Sequence, residues 1–343
     1  AATGFAPLAG ASPDDTLCIV YTSGTTAKPK GVAHRISDMI DNARMFARKL
    51  GIGPQNRFYG VLSMTYLGGY YNLLLLPYAA EASVVLSSTF DAKSALRFWE
   101  PARQYGVNTL WLVPTIMSIL MEVDRGQVGE QHCREKVILT LCGTAPLPPP
   151  LRQAFEKRYA VRVLENYALS ETFFLTSNTH NHPVQDGCVG KVLPGVQVRI
   201  VDDQGRDVEF GAEGEVSVCT PYLMEGYFNA DRQAVDALDR DGWFPTGDVG
   251  VLRPNGDLFI TGRKKDLIIR GGINISPASI EHVLQAQEGI LEAAVVGIPH
   301  ALYGEDVVAV VRMKEGVDRE AVKKEAARRC GEQLGRIRQP AHF

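Results

Sequence analysis

The chain has no apolar run near the roughly 20 residues that a membrane-spanning helix needs. The longest candidate, residues 70–80, is short and contains Pro77. Neither sign of charge dominates: 36 Lys+Arg stand against 39 Asp+Glu, a formal net charge of -3. That balance gives no footing to a general nucleic-acid binder. The first residues, A-A-T-G-F-A-P-L-A-G-A-S-P, lack the basic region and the long apolar region of a signal peptide. Cysteine is sparse and scattered, at Cys18, Cys133, Cys142, Cys188, Cys219 and Cys330, with no C-x-x-C pair. Most sit in apolar company, which predicts buried free thiols in a reducing compartment, the cytoplasm. The 33 glycines follow no G-X-Y period, so the chain is not collagen-like. Repeats and low-complexity tracts are also missing.

What is present is ordinary globular material. Hydrophobic residues make up 45% and charged residues 22%, which excludes a disordered chain. A length of 343 residues predicts roughly two domains. Up to about residue 190, short apolar runs alternate with helical patterns, the mark of an α/β layered sheet. The strands are 17–21, 83–86, 109–113, 137–142 and 161–164. The helices are 36–50, 91–105 (interrupted at Pro101), 115–123 and 151–158. In the first helix Ile36, Ile40, Ala43 and Ala47 share one face and Gly51 supplies the stop. From about residue 190 the pattern turns to antiparallel strands, including a hairpin around Pro254-Asn255-Gly256-Asp257. From Asp266 a small α+β unit follows, with helices at 277–287 and 319–334.

The sharpest local feature is Y-T-S-G-T-T-A-K-P-K-G-V, residues 21–32, predicted between a strand and a helix. It holds the hydroxyls of Thr22, Ser23, Thr25 and Thr26, the glycines Gly24 and Gly31, and the lysines Lys28 and Lys30. Glycine lets backbone N–H groups approach a ligand, hydroxyls donate to oxyanions and lysine adds charge, so the loop reads as a polyphosphate cradle. It is not a Walker A loop: Pro29 stands where the second glycine belongs, and no Ser or Thr follows Lys30. His34, just beyond, is expected to open the next helix rather than to catalyse. His180 and His182 flank Asn181 without a third ligand nearby, so no metal site is predicted there.

In this loop the sequence resembles the adenylate-forming superfamily of acyl-CoA synthetases, luciferases and peptide-synthetase adenylation domains. Four further segments resemble family motifs in the family's order. They are Gly143-Thr144-Ala145-Pro146-Leu147, Asn166-Tyr167-Ala168-Leu169-Ser170-Glu171-Thr172, Gly242-Trp243-Phe244-Pro245-Thr246-Gly247-Asp248 and Gly262-Arg263-Lys264-Lys265-Asp266. The resemblance runs from about Leu17 to the end. It implies an α/β fold of layered sheets. Residues 1–190 would form the ATP- and acyl-binding part of a large domain, 191–265 its β-rich subdomain and 266–343 a small mobile C-terminal domain.

The implied chemistry has two halves. A carboxylate attacks the α-phosphate of ATP to give an acyl-adenylate and pyrophosphate, and a thiol, most often that of CoA, then displaces AMP. The resemblance assigns the β/γ-phosphates to Thr22, Ser23, Gly24, Thr25, Thr26 and Lys30, with Thr26 and Lys30 also catalytic. It assigns the adenine to Gly143, Thr144, Ala145, Pro146, Asn166 and Tyr167, with Ala168 beside it. Ser170 would touch the α-phosphate, Glu171 would hold Mg2+, and Asp248 and Arg263 would take the ribose. Tyr66 and Ala168 would bound the acyl pocket, Asp266 would be a hinge, and Gly271 and Gly272 would line the CoA channel. Ala168 and Ser170 stand where the family usually has Gly and Thr. The family also carries a longer portion before the loop and a late lysine in a P-K-T-x-S-G-K-like motif, so this chain reads as truncated at both ends. An amino-acid or aryl-acid adenylation domain and a non-catalytic nucleotide-binding remnant remain as alternatives. Ser63–Gly69 lacks the acid that would hold an α-amino group. The acid, the acceptor (CoA or a carrier-protein thiol) and the oligomeric state stay open.

Overall fold

The computed structural model describes residues 10, 12–22, 30–182, 185–228, 234–235, 237–239 and 241–343. The chain opens with strands β1 (Thr16–Thr22) and β2 (Lys30–Arg35), paired antiparallel with Thr22 opposite Lys30. The described ends of the cradle sequence, Tyr21–Thr22 and Lys30–Val32, therefore lie in two paired strands, where a strand followed by a helix was expected. Lys30–Arg35 is extended because Gly31, Val32, Ala33 and His34 are all buried between partners. His34 accordingly lies in β2, and the helix begins two residues later at Ile36. That helix, Ile36–Leu50, ends where expected: Gly51 takes the left-handed conformation at φ 69 and bonds back to Arg48.

Strands β3 (Arg57–Gly60), β4 (Ser83–Leu86), β5 (Thr109–Leu112), β6 (Leu139–Cys142) and β7 (Val163–Leu169) form a parallel set in the order β4-β3-β5-β6-β7. The helices Pro114–Val123 and Pro149–Tyr159 supply crossovers between them. β8 (Phe173–Ser177), β9 (Cys188–Val192), β10 (Gln197–Val201) and β11 (Glu213–Cys219) follow antiparallel. β12 (Gly226–Phe228) and β13 (Ala234–Val235) leave this sheet and extend the first hairpin, β12 pairing with β2. β14 (Phe244–Leu252) and β15 (Asp257–Arg263) complete an 11-stranded sheet in the order β10-β11-β14-β15-β9-β8-β7-β6-β5-β3-β4. The stretch 191–265 is thus hydrogen-bonded into the same sheet as the parallel strands, and residue 190 falls inside β9. One core spans both halves: Phe46 stacks on Phe174 at 3.9 Å, and Trp111 is fully buried beside them.

The region predicted as a helix over 91–105 breaks at residues 96–98 rather than at Pro101. Pro101 lies in the first turn of Trp99–Gln104, where no N–H partner is needed. The unassigned stretch after Tyr66 is helical from Leu67 to Ala79, with a π-helical turn at Tyr71–Leu75.

A second core, built on Ile268, Ile275, Ile280, Val307 and Cys330, belongs to the C-terminal unit. There β16 (Ile268–Arg270), β17 (Ile273–Ile275), β18 (Ile290–His300) and β19 (Gly304–Met313) form a four-stranded sheet in the order β17-β16-β19-β18. The helix Pro277–Gln285 packs on β18 and reaches β15. The last helix, Arg319–Leu334, is capped by the Asp318 carboxylate, which accepts from the Glu320 and Ala321 amides. Asp318→Ala is expected to cost about 1 kcal/mol locally. Faster hydrogen exchange at those two amides, with unchanged exchange in the large sheet, is the expected reading.

Candidate active site

The ends of β6 and β7 meet each other through Asn166, and the end of β7 reaches β14 through Tyr167. Asn166 donates from Nδ2 to the Cys142 carbonyl at 3.0 Å. This draws its amide over Gly143, where a Cβ would stand 2.6 Å from Asn166 Oδ1, so a side chain there would displace the Asn166 amide. Thr144 next to it adopts φ 71, a left-handed backbone that β-branched residues rarely accept. Thr144, Ala145 and Pro146 are exposed, while Leu147 anchors the segment in the core.

Tyr167 donates its hydroxyl to Asp248 Oδ2 at 2.6 Å, and Arg263 Nε donates to Asp248 Oδ1 at 2.9 Å. The cause is register: Asp248 and Arg263 face each other across β14 and β15. Asp248 is almost fully buried. Burial raises its pKa, and the Tyr167 hydroxyl and the Arg263 charge pull it back down. A carboxylate offers about four lone-pair sites, so two neighbours leave acceptor capacity for a ligand. A cleft of about 330 Å³ opens beside it, lined by Thr246, Gly247, Arg263, Lys264 and Lys265. Lys264 is tied to Glu215 Oε2 at 2.8 Å.

Ser170, Glu171 and Thr172 make the turn between β7 and β8. Tyr227, on β12, donates its hydroxyl to Glu171 Oε1 at 2.7 Å, and Lys30 Nζ lies 4.9 Å from the centre of the same ring. The pairing of β12 with β2 makes this possible, and the Met224 amide closes onto the Glu171 carbonyl at 2.8 Å. Burial first, then the Glu171 charge, raises the Tyr227 pKa. Ser23, Gly24, Thr25, Thr26 and Lys28 lie outside the described residues, and of Thr22 the backbone pairing alone is described.

Among the described residues no group of three or more His, Cys, Asp or Glu side chains is arranged to hold a metal. A lone carboxylate with one oxygen committed to Tyr227 still suits Mg2+, which keeps its waters and is commonly held by one or two carboxylates plus substrate phosphates.

The remaining predicted residues take no part in the hydrogen bonds of these two clusters. Ala168 is exposed at a register shift in the β7–β8 pairing. Tyr66 precedes the helix at Leu67, half-exposed, and its ring occupies the space a Cβ at Gly68 would need. Asp266 ends the 3-10 turn Lys264–Asp266, exposed. Gly271 and Gly272, at φ 58 and 81, form the two-residue turn between β16 and β17.

Tyr227 and His34 were not legible as site neighbours. Tyr227 lies far along the chain from both Lys30 and Glu171, with no local signal in Gly226-Tyr227-Phe228. His34 is fully buried, with its ring 4.3 Å from that of Phe173. Burial pushes its pKa from the ordinary 6.5 down to about 4, against opposing influences of the Ser170 backbone and the Glu225 charge. The folded protein therefore keeps His34 neutral where an unfolded chain would protonate it. This contribution to stability is full above about pH 6.5 and is lost as pH falls toward 4. His34→Phe should flatten the stability curve in that window by up to about 1.4 kcal/mol per pH unit. Parallel urea-melt curves for parent and variant from pH 7 to 4 would show that another group titrates.

Comparison with known proteins bears on the family and the fold. Residues 4–228 match the family model described as AMP-binding enzyme, and residues 279–343 match its C-terminal domain model. Sulfoacetate–CoA ligase of Cupriavidus necator is 34% identical over 343 residues, covering 98% of this chain and 64% of that protein. Indoleacetate–CoA ligase of Aromatoleum aromaticum is 35% identical over 306 residues, covering 89% of this chain and 58% of that protein. The crystal structure of ATP-bound MatB from Rhodopseudomonas palustris superposes with a TM-score of 0.84 at 29% identity, covering 97% of this chain and 65% of that one. The chain thus spans a little under two thirds of the length of these relatives. With motifs in order, a matching mixed α/β fold and a family model covering more than half its length, the chain belongs to the AMP-binding enzyme family.

Proposed function

We propose that this chain is part of an acid–thiol ligase that activates a carboxylic acid with ATP and passes the acyl group to CoA. In the first half, a carboxylate oxygen of the acid bonds to the α-phosphorus of ATP and the bond to pyrophosphate breaks. In the second, a thiol sulfur attacks the acyl carbonyl, AMP leaves, and the thiol proton passes to solvent. Positioning and charge neutralisation supply most of the catalysis in such phosphoryl-centre chemistry.

The single observation that carries this reading is the Tyr167–Asp248–Arg263 arrangement beside Asn166 and Gly143. Tyr167, its ring fixed through its hydroxyl, would stack on adenine between Asn166 and the exposed Thr144, Ala145 and Pro146. Asp248 would accept from the ribose hydroxyls, and Arg263 would donate to the sugar or the α-phosphate. Thr22, Ser23, Gly24, Thr25, Thr26 and Lys30 would hold the β- and γ-phosphates, and Ser170 the α-phosphate. Glu171 is the residue that would hold Mg2+, which when bound would offset charge on the phosphates. Tyr66 and Ala168 would bound the acyl group, the turn Gly271–Gly272 would border the thiol's path, and Asp266 would be the pivot of the C-terminal unit. Names of relatives support CoA as acceptor. Six free cysteines support a reducing, cytoplasmic setting.

The test is pyrophosphate exchange by the intact gene product with a panel of carboxylic acids, followed by thioester formation with CoA or with a carrier protein. Exchange with no acid in a broad panel overturns the reading. Exchange with transfer to a carrier protein alone replaces CoA as acceptor.

A further inference from the structure

β14 does not run straight past β11. Glu215 pairs with Val249 and Ser217 with Pro245, so Thr246, Gly247 and Asp248 together stand opposite the single residue Val216. This is a bulge, a device by which a strand re-aims a side chain. The side chain aimed here is that of Asp248, whose carboxylate meets Tyr167 and Arg263. Gly247 takes φ 72, a left-handed backbone that glycine adopts without strain, and it lines the cleft beside Arg263. A bulge leaves the regular ladder, so its backbone amides need other acceptors. Two side chains hold it. The Thr246 hydroxyl donates to the Val216 carbonyl at 2.7 Å and accepts from the Asp248 amide at 3.1 Å. Glu215 Oε1 accepts from the Gly247 amide at 3.2 Å. Its other oxygen accepts from Lys264 Nζ at 2.8 Å, and the carboxylate keeps 14% side-chain exposure. One carboxylate thus touches the residue before Asp248 and the residue after Arg263, the pair that faces across β14 and β15.

We propose that Glu215 is a positioning residue for nucleotide binding: it fixes the β14 bulge through the Gly247 amide, so that Asp248 is presented beside Arg263 at the mouth of the cleft. This rests on the nucleotide reading above. The ion pair with Lys264 holds the carboxylate in place, and the hydrogen bond to Gly247 does the positioning. Without that bond the bulge loses one of its two ties, and Asp248 is no longer held in one orientation before a ligand arrives. Preorganisation lost in this way shows as weaker binding and not as a slower chemical step.

The test is calorimetric AMP binding and pyrophosphate exchange by the intact gene product. It compares Glu215→Ala, which removes both oxygens, with Glu215→Gln, which keeps an acceptor for Gly247. The alanine variant should bind AMP roughly tenfold more weakly, the scale of one hydrogen bond to a charged group, and the glutamine variant should stay within about threefold of the parent. KM for ATP should rise in step, with kcat for exchange within about twofold of the parent. Hydrogen exchange at the Gly247 amide should quicken in the alanine variant and stay parental in β5 and β6. Because Glu215 acts through Asp248, adding Glu215→Ala to Asp248→Ala should weaken AMP binding by less than about twofold more. An alanine variant with parental affinity overturns the inference and leaves the functional reading intact. Equal losses in the alanine and glutamine variants, or full additivity with Asp248→Ala, also overturn it. Where Glu215→Ala does not fold, Glu215→Met, which keeps the bulk and removes both oxygens, takes its place in each comparison. A parent that binds no AMP removes both the inference and the nucleotide reading.

Discussion

Glu171→Gln should lower acid adenylation by about 10²–10³ while leaving thioester formation from a supplied acyl-adenylate near the parental rate. The substitution is close to neutral for the fold. Glutamine keeps an Oε1 acceptor for the Tyr227 hydroxyl, now at 2.7 Å, and the backbone bond from Met224 is untouched. What disappears is one negative charge at the turn between β7 and β8. If that charge holds Mg2+ beside the triphosphate, the half-reaction that uses ATP suffers, and the half-reaction that starts from acyl-adenylate does not. Rapid-quench measurement of each half separately checks this. Equal losses in both halves would show that Glu171 supports the structure or acts on the acyl group. A Tm shift of several degrees would point to the fold.

Asp248→Ala should weaken AMP binding by roughly 10- to 150-fold, the loss of about 1.5–3 kcal/mol expected for a hydrogen-bond partner that is charged. Its two carboxylate oxygens now hold Tyr167 and Arg263. Alanine would strip both of their partner as well as removing the proposed ribose acceptor, so the binding loss would include loosening of the Tyr167 ring proposed to stack on adenine. Asp248→Asn, which keeps one acceptor oxygen, should fall between parent and alanine. Calorimetric titration with AMP measures all three. An alanine variant with parental affinity would remove Asp248 from the nucleotide site.

Much of the local structure was legible because it is set by neighbours along the chain. The spacing of Ile36, Ile40, Ala43 and Ala47, with Gly51 after them, writes a helix and its stop, and the helix is Ile36–Leu50. Asn255-Gly256 writes the hairpin between β14 and β15, with Gly256 at φ 85. Where the expectation differed, a distant strand decided. Residues after the cradle loop looked like the approach to a helix, yet β1 and β12 flank them and draw Lys30–Arg35 into a sheet. β3 and β8 went unread: Arg57–Gly60 opens on an exposed arginine and ends on a glycine, and Phe173–Ser177 shows no apolar alternation.

The sequence alone determined the kind of protein. The loop at 21–32 and four further motifs in order named the family, and Gly143, Tyr167, Glu171, Asp248 and Arg263 could be picked out because they fall within those motifs, in register with the loop. The tertiary structure decided what those residues touch. The register of β14 on β15 sets Arg263 against Asp248, and the end of β7 brings the Tyr167 hydroxyl to it. The pairing of β12 with β2 delivers Tyr227 to Glu171 and seals His34 against Phe173. These contacts join segments far apart in the chain. A one-residue shift in strand pairing would turn each side chain to the opposite face, so no local pattern could have announced them.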